Sequence, residues 1–277
     1  MLTWPKYLDI LLFLICFSGA TFLSSQTNAL KYQSSNQSAL GSNMSSLKGV
    51  FGTLGNPGNI AQSNTSFSFL ATSEQRFFLG SLNSTSIASI KKIGAYDYLG
   101  VSFGSFGIDE YKERRFSVSY SRMVAQNISI GSTAHYYLKS IQEYGSEYDF
   151  DINIGLNSEL SDYLELGIVV FNILSNQNKG YLREHTEMAT GISYLISQKV
   201  NWLLEFRTNF SDHTSFSTGI SYQIIDHINL QIGTNSLDNG ISVGISYKLN
   251  DKWSMNASSR SNQNLGVSPG LSLLYEK

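Results

Sequence analysis

From about residue 64 to the C-terminus, hydrophobic and polar residues alternate almost without a break. In Tyr148-Asp-Phe-Asp-Ile-Asn-Ile-Gly-Leu-Asn157, residues Tyr148, Phe150, Ile152, Ile154 and Leu156 fall on one face of an extended chain. Asp149, Asp151, Asn153, Gly155 and Asn157 fall on the other. Side chains alternate along a strand with period two, so one face is oily and the other wet. A soluble sheet turns its oily face to a core. An outer-membrane barrel turns that face to lipid and lines its lumen with the wet one.

The pattern predicts strands at 64–72, 76–90, 93–106, 111–124, 127–142, 145–158, 162–172, 183–197, 199–210, 213–225, 227–235, 238–249, 251–260 and 265–275. Many run about 9–13 residues, which suits a tilted strand crossing a bilayer better than the roughly 5–6 residues of sandwich strands. Joints such as Asp226-His227 and Asn250-Asp251 carry turn chemistry. Short joints interleave with longer, more polar ones, as the two rims of such a barrel require. The reading is an all-β chain: one 14-stranded antiparallel transmembrane β-barrel over 64–277, preceded by a plug segment over 30–63. That segment is rich in Ser, Asn, Gly and Gln and reads as irregular or partly helical. Segment 162–172 departs from the pattern, because Val169 and Phe171 are apolar on the wet face. They mark either contact with the plug or an apolar lining of a ligand path.

Residues 1–29 read as a secretory signal. Lys6 precedes the apolar run Ile10 to Phe17, and small residues offer cleavage after Ala20 or Ala29. The single cysteine, Cys16, lies in that run, and the bulky Ile15 before it argues against a lipoprotein signal. The mature chain then lacks disulfides and draws its stability from sheet pairing in a membrane. Charged residues are only 14% of the 277 and aromatics 13%. A net charge of −2 without a basic cluster gives no footprint for nucleic acid.

No catalytic constellation or metal-ligand spacing stands out. His135, His185, His213 and His227 are widely spread. Ser211-Asp212-His213 reads as loop sequence. No cofactor is expected, and the chain is read as non-enzymatic. Arg115 is expected on the lumen face, pairing with Glu165, Asp149 or Asp151, with Glu205 and Arg207 in the same charge network. Asn56-Pro57-Gly58 is a strong turn, with a plug hinge as its functional reading.

The order of Ser38-Ala-Leu-Gly-Ser-Asn-Met-Ser-Ser-Leu-Lys48, Gly55-Asn-Pro-Gly58, Gly94-Ala-Tyr96, Tyr111-Lys-Glu-Arg-Arg115, Phe171-Asn172 and Leu265-Gly-Val-Ser-Pro269 resembles the PorV/PorQ branch of the FadL-like outer-membrane barrels. Gly58 departs from that family's Asn-Pro-Ala motif, and the terminal aromatic, Tyr275, comes two residues early. The resemblance implies a bacterial outer-membrane location and a plug at the periplasmic mouth. It also implies a role as accessory or anchor for proteins of a type IX-like secretion system. The alternative is a FadL-like transporter of hydrophobic small molecules, which predicts a lateral gap in the wall and an apolar pocket near Val169 and Phe171. An outer-membrane lipase is the weakest reading. The expected partners are outer-membrane lipid, secretion-system or surface proteins, or a hydrophobic ligand.

Overall fold

The computed structural model describes residues 31–108, 110–174, 185–210, 214–237 and 239–277. The expected signal segment, Cys16 and Ser211-Asp212-His213 lie outside those residues. Fourteen strands follow the N-terminal segment: β1 (Phe67–Gln75), β2 (Asn83–Lys92), β3 (Asp97–Gly107), β4 (Tyr111–Ala125), β5 (Ile128–Ile141), β6 (Gly145–Ser161), β7 (Leu164–Phe171), β8 (Glu187–Ser197), β9 (Val200–Thr208), β10 (Thr214–Ile225), β11 (Ile228–Asn235), β12 (Gly240–Lys248), β13 (Trp253–Asn262) and β14 (Gly266–Glu276). Each pairs antiparallel with its sequence neighbour, and β1 pairs with β14, which closes the ring. Phe67 and Lys277 exchange backbone hydrogen bonds at the seam.

The alternation becomes an inside and an outside. On β6, Asp151, Asn153, Gly155 and Asn157 are buried, while Tyr148, Phe150 and Ile154 are at least half exposed. The exposed apolar side continues around the ring through Leu99, Val101, Phe103, Phe116, Val118, Ile130, Ile220, Ile232, Ile245 and Leu271. An apolar belt of that extent does not stay in water. On a closed barrel with a polar inner face it is the lipid-facing surface of an outer-membrane protein. Tyr136 stacks with Tyr148 at 6.0 Å near one rim, and Trp253 packs on Tyr275 at 4.8 Å near the other. The early terminal aromatic thus sits on the outer face beside the seam.

The joints β2–β3, β4–β5, β6–β7, β8–β9, β10–β11 and β12–β13 hold two to four residues each and share one rim with the C-terminus. The connections on the other rim include the longest, between Phe171 and Glu187. The largest boundary difference from the sequence expectation is at the start of β2. Residues 76–82 do not begin β2; they form the β1–β2 connection. Arg76 turns inward beside Glu74, and Phe77 and Phe78 adopt positive φ, so the strand alternation stops there.

The pairing runs unbroken through all fourteen strands, so the lateral gap expected of a FadL-like transporter is not present among the described residues. The nearest feature is a step in the rim. β6 pairs with β5 from Gly145 onward, but with β7 only from Ile154 onward.

Replacing the half-exposed Ile154 by Arg places a cation on the lipid face. A cost of about 2–4 kcal/mol is expected if that position is at the midplane. Urea titration of the folded, heat-modifiable band in lipid vesicles checks it. An unchanged midpoint would mean the outer face is not in lipid.

Candidate functional site

The interior of the ring is occupied by residues 31–62, most of which are buried. This segment opens into the short helix α1 (Ser35–Ala39), capped by Ser34 and Gln37, which bond each other's backbone N–H groups. Two 3-10 turns follow, Gly49–Thr53 and Pro57–Ile60. Its contacts reach strands on every side. The Ser35 hydroxyl lies 2.8 Å from the Asn256 side-chain oxygen on β13 and 2.9 Å from Ser258, and its N–H donates to Ser272 on β14. Asn235 on β11 donates to the Gly41 carbonyl, and the Gln62 amide donates to Ser129 on β5. Val50, Leu54, Ile60 and Ala61 pack on the inward Leu70, Ala88, Ile90 and Tyr98 of β1 to β3. Each large apolar side chain buried this way contributes roughly 1.5–3 kcal/mol.

The wall makes room for this segment with glycine. A Cβ on Gly131 would overlap the Pro57 carbonyl, and one on Gly155 would overlap the Asn56 side chain. On Gly167 it would overlap the Ser45 carbonyl, and on Gly219 it would lie 2.7 Å from the Leu40 carbonyl. These inward glycines, on β5, β6, β7 and β10, trace the path of the segment. A glycine inside a strand marks close approach of another backbone.

Asn56 is fully buried and uses its whole amide. Its oxygen accepts from Gly58 N–H, and its nitrogen donates to the carbonyls of Ser45 and of Leu156 on β6. Pro57 begins the 3-10 turn, where its missing N–H costs nothing. A Cβ on Gly58 would lie 2.8 Å from the Leu156 carbonyl carbon, so the close approach to β6 favours glycine there. The turn therefore also clips the segment to β6.

Among the described residues the charged side chains gather in small clusters. Glu205 accepts the backbone N–H groups of Met44 and Ser45, each at 2.7 Å, and also the Arg207 guanidinium at 2.9 Å. Glu187, which the sequence reading missed, lies 3.8 Å from Arg207. Glu165 joins Glu159 on Lys48, at 2.8 and 2.7 Å. Burial alone would lower the Lys48 pKa, but the hydrogen bonds and charges of the two carboxylates outweigh it and the net shift is upward. Asp151 accepts from Ile152 and Leu174 N–H, and the half-buried Asp149 from Phe150 N–H.

The expected pairing of Arg115 with Glu165, Asp149 or Asp151 is not formed. Arg115 faces inward near the long-loop rim, whereas Glu165 is near the short-turn rim. The cross-strand row from Arg115 passes through Tyr137 before it reaches Asp149. Its guanidinium lies over the Tyr32 ring instead, 4.2 Å from the centroid. Val169 and Phe171 are buried inside, in contact with Met44 and Ala189.

Three further residues meet across β4, β5 and β6. The Ser117 hydroxyl lies 2.7 Å from His135 Nδ1, and the Asn153 amide nitrogen lies 2.9 Å from His135 Nε2. Asn153 Oδ1 accepts from Asn172 N–H, so its NH2 donates to Nε2. His135 then carries its proton on Nδ1 and donates to Ser117, the reverse of what base activation of a serine needs. The signal was present in the sequence: Ser117, His135 and Asn153 all stand at inward positions of consecutive strands. Among the described residues, no three His, Cys, Asp or Glu side chains are grouped to hold a metal.

At the short-turn rim a cavity of about 220 Å³ opens between β10 and β14, lined by Gln223, Asn229, Ser246, Lys248, Ser254 and Glu276. Ser254 is the inward neighbour of Asn256, which holds α1. The cavity thus lies just below α1.

No family model matches the chain, and no curated protein matches it in sequence. Solved outer-membrane channels match its fold. The Ralstonia pickettii toluene transporter TbuX superposes with a TM-score of 0.69 at 10% identity, covering 89% of this chain and 99% of its own. The monoaromatic hydrocarbon channel CymD gives 0.66 at 12%, covering 91% and 99%. A Pseudomonas aeruginosa FadL homologue gives 0.60 at 10%, covering 93% and 100%. At these identities the likeness is one of fold.

Gly167→Val should force Ser45 off the wall and loosen the segment while the barrel stays assembled. Limited proteolysis checks this: cleavage within residues 40–62 should appear in Gly167→Val and not in the parent. Equal resistance would mean that the segment does not depend on the glycine contacts.

Proposed function

We propose that this protein is a FadL-like channel that passes small hydrophobic compounds across the outer membrane. The observation that carries the reading is the apolar patch of Val169, Phe171 and Ala189, set in a mostly polar interior and covered by Met44 of the N-terminal segment. The shared fold with hydrocarbon channels adds support. In this reading residues 31–62 act as the plug, and the cavity below α1 is the outlet toward the periplasm. The channel is non-enzymatic, in keeping with the tautomer that Asn153 imposes on His135.

A second reading is favoured by one observation, the filled interior behind an unbroken wall. It is the PorV/PorQ-like accessory or anchor for secreted proteins, which needs a closed barrel with a binding rim and no conduction. Co-purification from gently solubilised membranes would recover its protein partner.

Uptake of toluene by proteoliposomes separates the two. The channel reading expects uptake well above empty vesicles. It also expects Phe171→Asn to reduce uptake roughly tenfold, the scale of lost apolar contacts in a binding pocket. Uptake equal to that of empty vesicles would overturn it.

A further inference from the structure

Near the long-loop rim, a niche in the inner wall holds an aromatic ring supplied by the chain itself. Tyr32, fully buried, lies against β3 at Gly104, where a Cβ would overlap its ring atoms. Phe106 and Tyr137 complete a small aromatic cluster with it, flanked by Leu82 and Tyr111. The Arg115 guanidinium covers its face at 4.2 Å, within the range of a cation–π contact.

Arg115 is 3% exposed, and no carboxylate pairs with it among the described residues. Its Nε and Nη2 have no hydrogen-bond partner among the described residues. The neighbouring cations differ: the part-buried Lys31 pairs with Glu113, and the buried Arg76 and Arg260 with Glu74. A guanidinium stays charged at any pH a protein meets. Burying it without a counter-ion is costly, and the natural remedy is an anion presented in its plane.

We propose that the niche formed by Gly104, Phe106, Arg115 and Tyr137 is a binding site for one aromatic ring bearing a carboxylate, and that Tyr32 occupies it in the resting state. The ligand's ring takes the place of the Tyr32 ring, and its carboxylate lies beside the guanidinium as the counter-ion. The niche has room for one ring and not for a long alkyl chain. Below Arg115 the inward column of β4 continues as Ser117, Ser119 and Ser121, all fully buried and hydrogen-bonded, with no apolar groove beneath. As a substrate class for transport the idea rests on the channel reading. As a binding site it is tested by itself.

Calorimetric titration of the purified full-length barrel with benzoate, benzyl alcohol and hexanoate provides the test. Tyr32→Ala empties the niche and should bind benzoate at least tenfold more tightly than the parent. Adding Arg115→Gln should remove at least tenfold of that affinity for benzoate and leave benzyl alcohol little changed. Heat-modifiable migration confirms assembly of each variant. If Arg115→Gln fails to assemble, Arg115→Lys keeps the charge without the fork and should still lose several-fold. The proposal is overturned if Tyr32→Ala binds benzoate no better than the parent, if changing Arg115 has no effect, or if hexanoate binds as well as benzoate. Benzoate binding without uptake of either benzoate or toluene would keep the site and discard the channel.

Discussion

Everything in this molecule depends on one constraint: in hydrocarbon a backbone N–H or C=O has no water to turn to. A strand can enter a membrane only if both its edges are paired, and that requires a closed ring. The seam between β1 and β14 is therefore as important as any turn. There Phe67 and Lys277 exchange backbone bonds, and Tyr275 packs on Trp253 and Phe67 on the outer surface. Once the ring closes, period-two alternation does the rest. The oily residues face lipid, and the Ser, Asn, Gly and charged residues line an interior.

That interior creates a second problem, which the N-terminal segment solves. A barrel of fourteen strands is too wide for wall side chains alone to fill. Residues 31–62 fill it here, but an irregular segment brings unpaired backbone groups with it. The wall answers them with side chains: Glu205 for the N–H groups of Met44 and Ser45, Asn235 for the Gly41 carbonyl. Asn56, from the segment itself, ties Ser45 to β6. Inward glycines let the two backbones approach closely. The polar interior is thus a docking surface for this segment.

Of the three apolar clusters inside the ring, the two that lie apart from β1 and β2 differ in kind. The contact of Met44 with Val169 and Phe171 lies between the segment and the wall, where the proposed channel reading places its path. The niche around Tyr32 combines aromatic rings with Arg115, which pairs with no carboxylate among the described residues; the proposed anion-binding site rests on that combination. His135, between Ser117 and Asn153, belongs to neither. Its hydrogen bonds lock the rows between them and rigidify β4 to β6.

The architecture was legible in the sequence because a strand writes its two environments at alternate residues. Fourteen alternating stretches could be counted, and the inside and outside of Tyr148–Asn157 could be assigned, without knowing any partner strand. Where backbone geometry overrode alternation, at Phe77 and Phe78, the reading slipped by a few residues. The pairings inside the barrel were not legible. Whether Arg115 meets Asp149, Glu165 or Tyr32 depends on register, on height along the barrel and on the course of a segment without periodicity. Gly131, Gly155 and Gly167 looked like ordinary strand glycines until the chain they accommodate was seen against them. Periodicity is local and survives in one dimension. The contacts of a filled lumen join residues as much as 237 positions apart, such as Ser35 and Ser272, and only the closed ring brings them together.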